Sequence, residues 1–114
     1  MTAYAIAYLR EVDFNADIVE YLQRIDATLD DYGGRFLVHG GTLTPAEGKW
    51  DGDVVVIEFP DGDSAAAWYD SPGYLEILPL RVDNSTSVAA LLEGVPVGYR
   101  ATDGLAAMLA ADPG

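Results

Sequence analysis

AYAIAYLREVDFNADIVEYLQRIDATLDDYGG, residues 3–34, changes its hydrophobic period once, and that change decides the fold. From Ala3 to Val12 the chain alternates. Tyr4, Ile6, Tyr8 and Arg10 share one face of a strand, and Ala5, Ala7 and Leu9 share the other. Asp13 and Asn15, both suited to a helix N-cap, come next. Phe14, Ile18, Tyr21, Leu22, Ile25, Leu29 and Tyr32 then recur at helical spacing. Asp17, Glu20, Gln23, Arg24, Asp26 and Asp30 occupy the opposite side. The pattern predicts a helix from about Phe14 to Tyr32, closed by Gly33-Gly34, since glycine accepts the left-handed conformation that ends a helix.

Outward from this unit, Arg35 to Thr42 reads as a second strand, stopped by Gly40-Gly41. Leu43 to Gly52 reads as a connection. Val54 to Phe59 is a third strand, broken by Pro60-Asp61-Gly62. Asp63 or Ser64 is positioned to cap a helix through Ala65 to Tyr69. Ser71-Pro72 restarts helical structure, with Pro79 disturbing its end. Ser85 to Glu93 is a fourth strand, and Gly94 to Gly114 a tail with a short helix expected from Asp103 to Ala111. This order predicts an α+β fold: a ferredoxin-like βαββαβ sandwich with a four-stranded antiparallel sheet and two helices on one face. Residues 1–94 form the domain and 95–114 a C-terminal extension.

Val54-Val55-Val56-Ile57 is apolar at every position, so both sides of that strand should be covered. Two helices cover one face of a small sheet. A second copy of the chain is the simplest cover for the other, the tail being the alternative, so a homodimer is expected.

With 114 residues the chain can bury one core unaided. It has no cysteine, hence no disulfide framework and no thiolate nucleophile. Neither a leader-like N-terminus nor a bilayer-length apolar run is seen, and the cytoplasm is the expected location. Nineteen acidic residues against six basic ones give a formal charge of −13. Such a surface repels phosphate backbones and anionic membranes, so neither is an expected partner.

Tyr32-Gly33-Gly34-Arg35-Phe36-Leu37-Val38, Gly40-Gly41, Val56-Ile57-Glu58-Phe59-Pro60, Ala67-Trp68-Tyr69-Asp70-Ser71-Pro72-Gly73-Tyr74 and Leu80-Arg81 follow one another in order. Together they resemble the bacterial family called domain of unknown function 1330, from about Tyr4 to Gly94. The resemblance implies membership of the dimeric α+β barrel superfamily, in which two sheets pair. That superfamily includes cofactor-independent monooxygenases, polyketide cyclases, muconolactone isomerases and haem enzymes, among which fold alone does not choose. The chain departs from the family in carrying His39 where arginine is usual, and in its tail after Gly94.

Several residues are candidates for chemistry. His39 is the single histidine, and an imidazole exchanges protons near neutrality. It reads either as a general acid or base or as a strand-end histidine hydrogen-bonded to a neighbour, and by alternation it shares a strand face with Arg35 and Leu37. Arg35 and Arg81 lie in the family-like motifs and can each hold a carboxylate or enolate through a guanidinium fork, or form ion pairs. Trp68, Tyr69 and Tyr74 read either as the wall of a small-molecule pocket or as helix packing. Glu58 interrupts an apolar strand. Pointing into the dimer interior, where burial would raise its pKa, it would be a candidate acid or base, and at a rim a paired charge. Asp51-Gly52-Asp53 and Asp61-Gly62-Asp63 lack the other ligands of a calcium loop. A lone histidine without cysteine argues against zinc, and no nucleotide-binding loop occurs. No metal or cofactor is therefore expected.

The reading that follows is a small-molecule-binding protein, expected to be a cofactor-independent enzyme of isomerase, cyclase or monooxygenase type. Its substrate would be a small metabolite with a carbonyl, enol or carboxylate group. The alternative is a non-catalytic ligand-binding or structural homodimer.

Overall fold

Asn15 opens the principal helix: its side-chain oxygen accepts the backbone N–H groups of Asp17 and Ile18 at 3.0 and 3.2 Å. In the computed structural model, which describes residues 1–111, helix α1 therefore runs Ala16–Asp30, and Phe14 stands outside it, exposed. Its apolar stripe, Ile18, Tyr21, Ile25 and Leu29, is buried. Gly33 ends the turn at φ +69°, where a side chain would be strained. A Cβ on Gly34 would stand 2.8 Å from both Leu29 Cδ2 and Phe59 Cε1, so helix exit and sheet meet there only over glycine.

Four strands, β1 (Ala3–Arg10), β2 (Arg35–His39), β3 (Asp53–Phe59) and β4 (Thr86–Glu93), form one sheet in the order β2-β3-β1-β4, every pair antiparallel. Between β3 and β4 come α2 (Gly62–Tyr69) and α3 (Pro72–Val82). The cap of α2 is Asp61, not Asp63 or Ser64: its carboxylate takes the Ser64 N–H at 2.7 Å, so the helix starts two or three residues earlier than the spacing suggested. Ser71 caps α3 with Pro72 in the first turn, and the helix continues through Pro79 to Val82.

The core lies between the helices and one sheet face. Phe59 and Ile77 are fully buried, joined by Leu29, Ile57, Ala65, Trp68 and Tyr74. Strand parity sets what each face shows. Ala3, Ala5 and Ala7 on β1 pair with Phe59, Ile57 and Val55 on the helix side. Tyr4, Ile6 and Tyr8 pair with Glu58, Val56 and Val54 on the other. That second face stays open. Val88 and Leu92 on it are 70% and 55% exposed.

One expectation about strand parity is corrected. β2 pairs Phe36 with Ile57 but Val38 with Val56, leaving Leu37 as an extra residue in a β-bulge. The bulge shifts parity, so His39 pairs with Val55 and joins Phe36 on the helix side, away from Arg35. The two rings stack with centroids 4.8 Å apart.

The tail carries helix α4 (Ala101–Ala111), which buries none of its residues and leaves the open face uncovered. Residues 112–114 of the extension lie outside the described residues. No helix among those described is long and apolar enough to cross a membrane.

Candidate functional site

Alanine is the residue that makes room. At the helix-facing positions Ala5 and Ala7 of β1 and Ala89 of β4, a methyl stands where a sheet core usually places Val, Ile or Leu. Helix α1 packs on α3 and stands off this floor. A cavity of about 350 Å³ is left between helices and sheet. Its size falls in the range of small-molecule pockets. The site is thus wider than the space beneath the Trp68–Tyr74 segment: Ile18, Tyr21, Leu22 and Ile25 of α1 form part of its roof.

One wall is aromatic. Trp68 lies 4.1 Å from Tyr74 and 5.3 Å from Phe59 between ring centroids, and Tyr69 lies 5.5 Å from Tyr74. Trp68 is held by its indole N–H, which donates to Thr28 Oγ1 at 3.0 Å. Trp68, Tyr69 and Tyr74 all line the cavity.

Polar chemistry collects at one end. Tyr74 and Arg81 lie two turns apart on α3, so both side chains leave the same helix face. Tyr74 Oη meets Tyr21 Oη from α1 at 2.8 Å. Arg81 is 6% exposed, and its Nη1 donates to Ser87 Oγ on β4 at 2.6 Å. Burial works against the Arg81 charge, but the neighbouring phenols of Tyr74 and Tyr21 outweigh it and hold the group above its ordinary value. Burial, then proximity to Tyr74, pushes the Tyr21 phenol far up, with Arg81 pulling more weakly the other way. Tyr21 is therefore a neutral hydroxyl, able to donate but not to ionise at physiological pH.

The remaining candidates divide by sheet face. His39 lines the cavity beside Phe36, at an exposed position on the edge strand β2. Arg35 and Glu58 do not line it. They form an ion pair on the open face, Arg35 Nε to Glu58 Oε1 at 2.9 Å, with Arg35 68% exposed. No carboxylate lines the cavity among the described residues. Nor do those residues form a cluster of three or more metal-ligating side chains.

Tyr21 and Ser87 were not singled out from sequence. Tyr21 reads as one more apolar position of α1, and Ser87 as one residue of an alternating strand. The usable signal was the alanine run on the inner face of β1.

Comparison with known proteins places this architecture. A search of curated proteins finds no significant match. Solved structures of similar fold include a dimeric ferredoxin-like protein of unknown function from Jannaschia sp. CCS1. It is 13% identical with a TM-score of 0.63, covering 82% of this chain and 100% of its own. Another is a protein of unknown function from Rhodopseudomonas palustris, 17% identical with a TM-score of 0.57 over 83% of each chain. A third is SnoaB, a cofactor-independent oxygenase from Streptomyces nogalater. It is 19% identical with a TM-score of 0.54, covering 87% of this chain and 97% of its own. At these identities the likeness is one of fold. The sequence itself matches, over residues 2–95, the family described as Domain of unknown function (DUF1330), and the chain belongs to that family.

Proposed function

We propose that the helix–sheet cavity binds a small, largely apolar metabolite carrying a carbonyl, enol or carboxylate group. The observation that carries this reading is a ready-made cavity of about 350 Å³ with alanine and aromatic walls and one buried guanidinium at its end. Apolar walls supply affinity, and a few fixed polar groups orient the ligand. Arg81, Trp68, Tyr69 and Tyr74 are the binding residues in this reading, with His39 at the mouth. Arg35 and Glu58 serve the open face instead.

The chemistry such a site favours is the holding of negative charge. A carbonyl placed at Arg81 and the phenols would have its enolate stabilised as charge develops on oxygen. SnoaB is a cofactor-independent oxygenase of similar fold. Chemistry of that class, or isomerisation or cyclisation through an enolate, is what this geometry supports. A second reading is binding without turnover, favoured by the lack of a carboxylate base among the described lining residues.

The working unit is proposed to be a homodimer joined through the open sheet face. Support comes from the exposed apolar side chains there and from the dimeric description of the Jannaschia protein. Residues 1–94 are the binding domain and 95–114 an extension outside it. Lack of a bound cofactor, metal or nucleic acid is part of the same proposal, as is a cytoplasmic setting.

A thermal-shift screen of small apolar ketones and acids tests the binding reading. A ligand present at a hundredfold excess over its Kd should stabilise the native state by about 2.7 kcal/mol. If no member of such a series shifts the melting temperature, the cavity is not a binding site.

A further inference from the structure

The chain holds nineteen Asp and Glu residues, yet among the described residues none pairs with its most buried arginine. The ion pairs among the described residues involve Arg10, Arg24 and Arg35, and not Arg81. A buried charge ordinarily demands a partner. The carboxyl end of α3, where Arg81 sits in the last turn, offers partial compensation through the helix dipole. Ser87 and the two phenols add neutral dipoles only. The guanidinium donates to Ser87 Oγ, with the Tyr74 and Tyr21 hydroxyls beside it, and among the described residues no buried side-chain nitrogen or oxygen lacks a partner. Arg81 also lines the cavity, within reach of a ligand there.

We propose that Arg81, held in place by Ser87, forms with Tyr21 and Tyr74 a subsite for one carboxylate, so that the ligand is an apolar monocarboxylate lying along the alanine floor. This rests on the cavity being a binding site and narrows its ligand from three chemical groups to one. A planar carboxylate fits the fork of a guanidinium and takes two parallel hydrogen bonds, where a carbonyl takes fewer. Of the Tyr21 and Tyr74 hydroxyls, one donates to the other, and the second is left as a donor that adds no repulsion. The missing counter-charge is then supplied by the ligand, and for a single fixed cation one negative charge completes the balance.

The register fixes the direction of the body. Ala89, Ala7, Val55 and His39 occupy one rung across β4, β1, β3 and β2. Ser87 lies two residues along β4 from that rung, beside Leu9. From the Arg81 end to His39 the floor spans three strand spacings, roughly 14 Å. An elongated alkyl or aryl group extends along it toward the Phe36–His39 mouth. A compact, highly charged metabolite does not fit.

The test uses matched probes, octanoate with octanamide and phenylpropanoate with phenylpropanamide. Calorimetric titration would compare the wild-type, Arg81→Met and Ala7→Phe proteins. The wild type should prefer each acid over its amide by at least about tenfold. Arg81→Met should erase that preference while amide binding persists, and Ala7→Phe should remove both. Equal binding of acid and amide by the wild type would overturn the carboxylate subsite and leave the cavity reading standing. Failure of every probe to bind would overturn both. Should Arg81→Met fail to fold, Arg81→Lys keeps the charge without the fork and should lower the preference. An unchanged preference in that variant would also overturn the subsite.

Discussion

Val56→Asp is expected to convert a dimer into a monomer at micromolar concentration, with the far-ultraviolet circular dichroism retained. Val56 lies on the open face, paired with Ile6 of β1 and with Val38 of β2, and is half-buried within its own chain. In a two-fold interface every substitution appears twice. An unpaired buried charge costs about 3–5 kcal/mol each time, so the dimer should weaken by roughly four powers of ten or more. Light scattering or sedimentation measures this directly. A wild type that is itself monomeric at those concentrations would refute pairing through this face.

The second large effect is expected at Ala7. Phenylalanine there projects into the cavity from the centre of its floor. The ring fills space that is already empty, so it buries apolar surface without displacing packed neighbours. The melting temperature of Ala7→Phe should hold or rise, while affinity for apolar ligands falls by about a hundredfold or more. A filled interior behaves otherwise: overpacking a dense core costs about 1–3 kcal/mol and would lower the melting temperature. Loss of stability with unchanged ligand affinity would show that the site lies elsewhere.

The fold was legible because its signals are local and agree with one another. Alternation from Ala3, helical spacing from Ile18 to Leu29 and the glycines at 33 and 34 each act within a few residues. The two-sided apolar strand at Val54–Ile57 likewise reported that both sheet faces would be apolar. Where the reading slipped, a long-range fact intervened. Simple alternation puts His39 on the face of Arg35. A bulge at Leu37 costs one residue of parity and turns every later side chain over. Nothing in Arg35-Phe36-Leu37-Val38-His39 announces that bulge, because it is set by pairing with β3.

The site was legible in its residue types more than in its arrangement. Trp68, Tyr69, Tyr74 and Arg81 stood out as aromatic or cationic residues in family-like motifs. What distinguishes Arg81 from Arg35 is burial, and burial depends on α3 continuing through Pro79 for one further turn. Pro79 suggested an earlier end. Its ring is tolerated, and its carbonyl still accepts the Asp83 N–H at 2.9 Å, which carries Arg81 inward beneath α1. Tyr21 gave no signal of its own: a tyrosine in an apolar stripe looks like core until its hydroxyl is seen to meet that of Tyr74.

A ligand that enters between helices and sheet lies against Trp68, which reports on that space. The protein has two tryptophans, Trp68 in the cavity wall and Trp50, which packs edge-on against Tyr8 at the surface. In the Trp50→Phe variant, fluorescence comes from Trp68 alone. Titration with phenylpropanoate should then give a saturable change in Trp68 emission, with a midpoint matching the calorimetric Kd, and Ala7→Phe should abolish it. Calorimetric binding that leaves Trp68 emission unchanged would contradict the claim and move the site out of the cavity.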